Sequence, residues 1–130
     1  MQYALLIYGS GDGWGQLSEE EQQAAMKDYM ALGERPETRS GADLGELSSA
    51  TTVRVKDGET LTTDGPFAET KEYLGGFYLI ECESLDEAIE FASKIPAARQ
   101  GGSVEVRPVV EHCTRSSASF VPNGGASSRA

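Results

Sequence analysis

Two segments of this chain are apolar on both of their faces, and nothing else in the sequence constrains the fold as tightly. From Tyr3 to Tyr8 the apolar groups fall on both parities: Tyr3, Leu5 and Ile7 on one, Ala4, Leu6 and Tyr8 on the other. Gly75 to Cys82 repeats the pattern through Phe77, Tyr78, Leu79 and Ile80. Successive strand residues point to opposite faces of a sheet, so both segments need cover on two sides, as central strands do. The remaining chain offers only two stretches with helical spacing.

The first helix is expected to open at Ser18, whose hydroxyl can accept from the Glu21 amide while the Glu21 side chain reaches back in a capping box. Glu19, Glu20 and Glu21 suit the positive end of its dipole. Ala25, Met26, Tyr29 and Met30 form the expected buried stripe, and Gly33 with Pro36 ends it. Ser84 and Glu87 make a second capping box. The stripe there is Leu85, Ala88, Ile89, Ala92 and Ile95, stopped by Pro96.

Between the helices, Thr51 to Lys56 alternates, with Val53 and Val55 on one face and Thr52, Arg54 and Lys56 on the other. Asp57-Gly58 is a two-residue hairpin signal, and Glu59 to Thr63 returns with Glu59 opposite Lys56. A short strand is expected near Ala42 to Leu47, and a last one from Ser103 to Val110 with Val104 and Val106 facing away from Glu105 and Arg107. The order strand, helix, hairpin, strand, helix, strand is the ferredoxin-like α+β plan, a mainly antiparallel sheet with two helices on one face. Helices cover one face only. The second apolar face therefore calls for a partner's sheet, and the chain is expected to be a homodimer.

With 130 residues there is room for one domain and one modest core. It is expected to span residues 1–111, followed by a loosely held tail, 112–130, rich in Ser, Ala and Gly. The net charge of −10 disfavours direct nucleic-acid contact and anionic membranes. Two cysteines, Cys82 and Cys113, and the lack of a basic leader or a long apolar run point to a reducing cytoplasm. Cys82 is expected to be a small buried hydrophobe.

The segment Asp64-Gly65-Pro66-Phe67-Ala68-Glu69-Thr70-Lys71-Glu72 resembles the signature of the DGPF group of YCII-related proteins. Thr52-Val53-Arg54-Val55 before it, Leu74-Gly75-Gly76-Phe77-Tyr78 after it and Val104-Glu105-Val106-Arg107-Pro108 near the end fall in the order of that family. The resemblance implies a dimeric α/β-barrel in which two ferredoxin-like sheets face each other. It also implies, for some members, an association with extracytoplasmic-function sigma factors. Related proteins carry an Asp and a His proposed as a catalytic pair. Asp64 matches the Asp, but the single histidine here is His112, beyond the final strand.

Asp64 is the leading candidate for chemistry. Where a strand breaks into a Gly-Pro turn its carboxylate can project into a barrel mouth as a general base, or accept hydrogen bonds from the turn's own amides. Arg54, Glu105 and Arg107 would lie opposite the valine rows, in the space between two sheets. There they either hold a small anionic metabolite or form an ion-pair network across the dimer. Tyr78 would supply a phenol to that space or sit in the core, and Trp14 would close over an apolar pocket or pack on the first helix. Glu69, Lys71 and Glu72 read as a solvated charge run or a pocket rim.

No zinc spacing, haem ligand, nucleophile elbow or dinucleotide fingerprint is present, so no cofactor is expected. The Gly9 to Gly15 loop lacks phosphate-loop spacing. Two functions fit these residues: a cofactor-independent acid–base enzyme with Asp64 as base, and a non-catalytic sensing or interaction dimer tied to sigma-factor regulation.

Overall fold

The computed structural model describes residues 1–10, 13–65 and 72–110. In chain order its elements are β1 (Gln2–Ser10), α1 (Glu19–Gly33), β2 (Thr38–Asp43), β3 (Thr51–Lys56), β4 (Glu59–Asp64), β5 (Glu72–Glu81), α2 (Leu85–Ser93), α3 (Pro96–Arg99) and β6 (Ser103–Pro108). A single 3-10 turn, Leu47–Ser49, precedes β3.

The main sheet has the order β2-β5-β1-β6 with every pairing antiparallel. The doubly apolar strands β1 and β5 are its two central members, as their composition requires. The helices lie on one face, so the fold is ferredoxin-like α+β, and β3 with β4 is a hairpin inserted between its second and third strands. The hairpin is a separate two-stranded sheet. At its tip Asp57 and Gly58 both take positive φ, 52° and 81°, the geometry that lets a two-residue turn follow the twist of the strands. Glu59 lies opposite Lys56.

The core is built on one parity of the central strands. Tyr3, Leu5 and Ile7 of β1 and Tyr78 and Ile80 of β5 are buried against Leu32 of α1, Ala88, Phe91 and Ala92 of α2, and Ile95. Phe91 meets Tyr78 edge-on, ring centroids 5.6 Å apart, and the Arg35 guanidinium covers it at 5.5 Å. Val104 and Val106 complete the layer from β6. On the other face Ala4, Leu6, Tyr8, Phe77 and Leu79 are half-buried in the single chain.

Several local expectations need correction. The valine row of β3 does not pack on the helices: Val53 and Val55 are 59% and 68% exposed because the hairpin stands apart from the main sheet. The second strand is Thr38–Asp43, not Ala42 to Leu47. Its polar sequence is tolerated because it is an edge strand, nearly all exposed. Of the expected stripe in α1, Ala25 is buried but Met26 and Met30 are exposed, and Leu32 joins Ala25 in the interior. In α2 the buried stripe is Ala88, Phe91 and Ala92, while Leu85 and Ile89 are half exposed. Pro96 stops α2 and also opens the short α3.

The capping box at Ser18 is complete, with both reciprocal hydrogen bonds made. At α2 the Glu87 amide donates to Ser84 Oγ, but Glu87 Oε1 accepts from the amide of Glu83 rather than Ser84. Cys82 is half-buried at the edge of the core, and burial pushes its thiol pKa up. The Pro66-to-Lys71 part of the motif, His112, Cys113 and the proposed tail lie outside the described residues.

Candidate functional site

A cavity of about 630 Å³ opens between α1 and the end of the sheet where β1 stops and β5 begins. That is the size of a pocket for a small organic ligand. It exists because α1 closes on the sheet only through Ala25, Leu32 and Tyr29, leaving Met26 and Met30 over a gap. The methionines therefore belong to the cavity wall, not to the core.

Each strand contributes to the wall for a definite reason. The β1–β5 register runs Ile7 opposite Gly76 and then Tyr8 opposite Leu74, so Gly75 is an extra residue in a bulge. Beyond it the parity changes, and Tyr73 comes to the helix side opposite Gly9. At the edge, Gly41 lies opposite Tyr78. A side chain there would meet the Phe77 carbonyl at 2.9 Å and the Tyr78 ring at 3.0 Å, so glycine is what lets that ring lie against β2. Asp43, two residues on, shares the helix side of the sheet and lines the cavity with Leu44 and Glu46. Trp14 enters from the loop after β1, held by Gln22 of α1, whose side-chain amide donates to the Trp14 carbonyl at 2.9 Å.

Two phenols of the wall, Tyr78 and Tyr29, are held in their neutral form. Tyr78 Oη donates to the Tyr29 carbonyl at 2.6 Å. Burial, then the neighbouring Tyr29 and Asp43, push its pKa up to about 12. Tyr29 is also raised, chiefly by burial and further by Asp43, against an amide of Ala97 and the charge of Arg99. Tyr78 is thus a hydrogen-bond donor tying β5 to α1, not a proton acceptor.

The six residues singled out from the sequence fall in three places. Trp14 and Tyr78 come together in the cavity. Glu105 and Arg107 project from β6 on the opposite face of the sheet, paired with Leu6 and Ala4, and Tyr8 Oη donates to Glu105 Oε1 at 3.4 Å. Arg54 and Asp64 lie on the hairpin, exposed, opposite Leu61 and Thr51. The hairpin base is closed by the Gly65 amide to the Ala50 carbonyl and by Thr52 Oγ1 to the Gly65 carbonyl. Tyr78 therefore does not share a face with Glu105 and Arg107, because it pairs with Leu5 on the helix side.

Asp43, Glu46, Tyr29, Tyr73, Met26 and Met30 escaped the sequence reading of the site. The two methionines carried a signal, since they sit at helical spacing beside smaller residues that suffice for the core. Asp43 carried none, being one acid on a polar edge. Among the described residues no group of His, Cys, Asp and Glu is placed to hold a metal ion. None of their helices is long and apolar enough to cross a membrane.

The motif order and the strand order lead to the same comparison. The YCII-related domain model matches residues 1–112. The chain belongs to the YCII-related family. This YCII-related chain is 44% identical over 115 residues to an uncharacterised protein of Rhizobium meliloti (strain 1021), covering 84% of this chain and 92% of that one. Among solved structures it is similar to 5-chloro-2-hydroxyhydroquinone dehydrochlorinase (TftG) from Burkholderia phenoliruptrix AC1100 in complex with 2,5-dihydroxybenzoquinone. The TM-score is 0.48 at 18% identity, covering 86% of this chain and 96% of that one.

Proposed function

We propose that this YCII-related chain is a homodimer in which each copy holds a small, flat, largely apolar molecule between α1 and the sheet. One observation carries the reading: a cavity of about 630 Å³ walled by Trp14, Tyr73 and two methionines that the core does not use. Flat aromatic walls and polarisable thioethers suit a planar ligand.

Support for the dimer comes from what one chain leaves uncovered. The face opposite the helices presents Ala4, Leu6, Phe77 and Leu79. The inserted hairpin exposes Val53, Val55 and Leu61. A two-stranded hairpin alone is marginally stable in water, so this one needs a surface to pack on. A second sheet laid on the open face would cover both features and bring Glu105 and Arg107 into the interface.

The chain's single tryptophan, Trp14, lies in the cavity wall, so occupancy can be read from its fluorescence. Titration with a panel of aromatic metabolites is expected to give a saturable change in emission. A ligand at about a hundred times its Kd would add roughly 2.7 kcal/mol to stability. Sedimentation is expected to show two copies, and Val55→Glu to weaken their association. A panel that leaves both emission and melting unchanged removes the cavity from the function. An acid–base reaction on the bound molecule would draw on Asp64. If Asp64→Asn turns over an identified ligand at the wild-type rate, Asp64 is not the base; saturable binding without turnover leaves a sensing dimer.

A further inference from the structure

Among the described residues the cavity carries its charge at one end only. Asp43 ends β2 on the helix side of the sheet, and Glu46 joins it in the wall. Among the described residues neither carboxylate has a lysine or arginine partner, and no lysine or arginine lines the cavity. Arg99, whose charge reaches Tyr29, is engaged by Asp28 at 3.4 Å and by the Lys94 carbonyl at 3.2 Å. Asp43 is close enough to Tyr29 and Tyr78 for its charge to act on both phenols.

The remaining wall is largely aromatic and thioether surface, with Trp14, Tyr73 and Met30 in it. Aromatic faces attract cations, and carboxylates do so more strongly when a ligand body excludes water from them. The net charge of −10 adds a field of the same sign over the whole chain. Among the described residues an anion would meet two carboxylates and no cation here.

We infer that the cavity selects an organic cation, with a flat apolar body against Trp14, Tyr73 and Met30 and an ammonium group at Asp43. The inference rests on the cavity reading above and names its ligand class. It departs from the small anionic metabolite expected of Arg54 and Arg107, which lie on the hairpin and on the other face of the sheet.

The test uses the full chain and three probes of one shape: phenethylamine, neutral 2-phenylethanol and 3-phenylpropionate. Binding is followed by Trp14 emission and by melting. The amine is expected to bind about tenfold more tightly than the alcohol, the sum of an ion pair and cation–π contact at a partly open site, with the acid weakest. Asp43→Asn is expected to abolish the preference for the amine, weakening the amine far more than the alcohol. If the alcohol binds and the amine does no better, the cavity reading stands and this inference falls. Equal or tighter binding of the acid, or a preference that survives Asp43→Asn, also overturns it. If none of the probes changes emission or melting, the inference and the cavity reading fall together.

Discussion

Replacing Tyr78 by phenylalanine deletes one oxygen between β5 and α1 and leaves the packing otherwise intact. The ring remains against Phe91 at 5.6 Å and no cavity is created. What disappears is the 2.6 Å hydrogen bond to the Tyr29 carbonyl, made by a residue only 8% exposed. A buried hydrogen bond of this kind contributes about 1 kcal/mol net, so the variant should lose about that at pH 8 and melt roughly 5 °C lower.

The pH dependence makes the prediction specific. Tyr78 has its pKa raised from 10.0 to about 12 in the folded chain. A folded-state pKa above the unfolded value means that the neutral phenol stabilises the fold fully below pH 10. That contribution is lost progressively as the pH rises through 12. At pH 11 the loss is on the order of 1 kcal/mol, taken below the full value of one pKa unit because the phenol keeps some solvent contact. Phenylalanine suffers no such loss, so the two chains should converge near pH 11. Guanidinium unfolding of both chains at pH 8 and pH 11, followed by circular dichroism, measures the gap directly. A gap of the same size at both pH values, or none at pH 8, would refute the buried, donating phenol.

Two further perturbations test the elements that shape the cavity. Gly41→Ala drives a methyl group toward the Phe77 carbonyl and the Tyr78 ring, and should cost about 1–3 kcal/mol in denaturant unfolding, with protection from hydrogen exchange lost along β2. Ser18→Ala removes the complete capping box of α1 and should cost about 1 kcal/mol, with Ser18→Asp restoring most of it; equal stability of the alanine variant would deny the cap any energetic role.

Much of the architecture was legible because it obeys short-range rules. The two-faced strands Tyr3–Tyr8 and Gly75–Cys82 are the sheet centre, and Ser18, Ser84 and Asp57-Gly58 mark two helix starts and a hairpin tip. The strand Thr38–Asp43 was not legible at its true position. An edge strand of small and polar residues has no alternation to read, and its place follows from pairing with β5 alone. The valines of β3 misled because alternation shows that a strand has two unlike faces, not which neighbour covers the apolar one.

The site was legible only in part. Trp14 and Tyr78 drew notice as large side chains near a loop and in a central strand, and both line the cavity. Met26 and Met30 were assigned to the core by their spacing, since periodicity records a common helix face but not how far that face stands from the sheet. Asp43 joins them through the register of β2 against β5, which no local pattern encodes.

The extra residue at Gly75 decides which way two neighbours look: Tyr73 toward the cavity and Leu74 toward the open face. One residue gained in β1 between Ile7 and Tyr8 would pair with Gly75, flatten the bulge and exchange them, placing a leucine among the aromatic walls and a phenol on the outer surface. Ligand preference and self-association at this end of the sheet are therefore bound together in inheritance. A lineage of this family can revise both with one inserted residue, while Leu5, Ile80 and the rest of the buried layer pass unchanged beneath it.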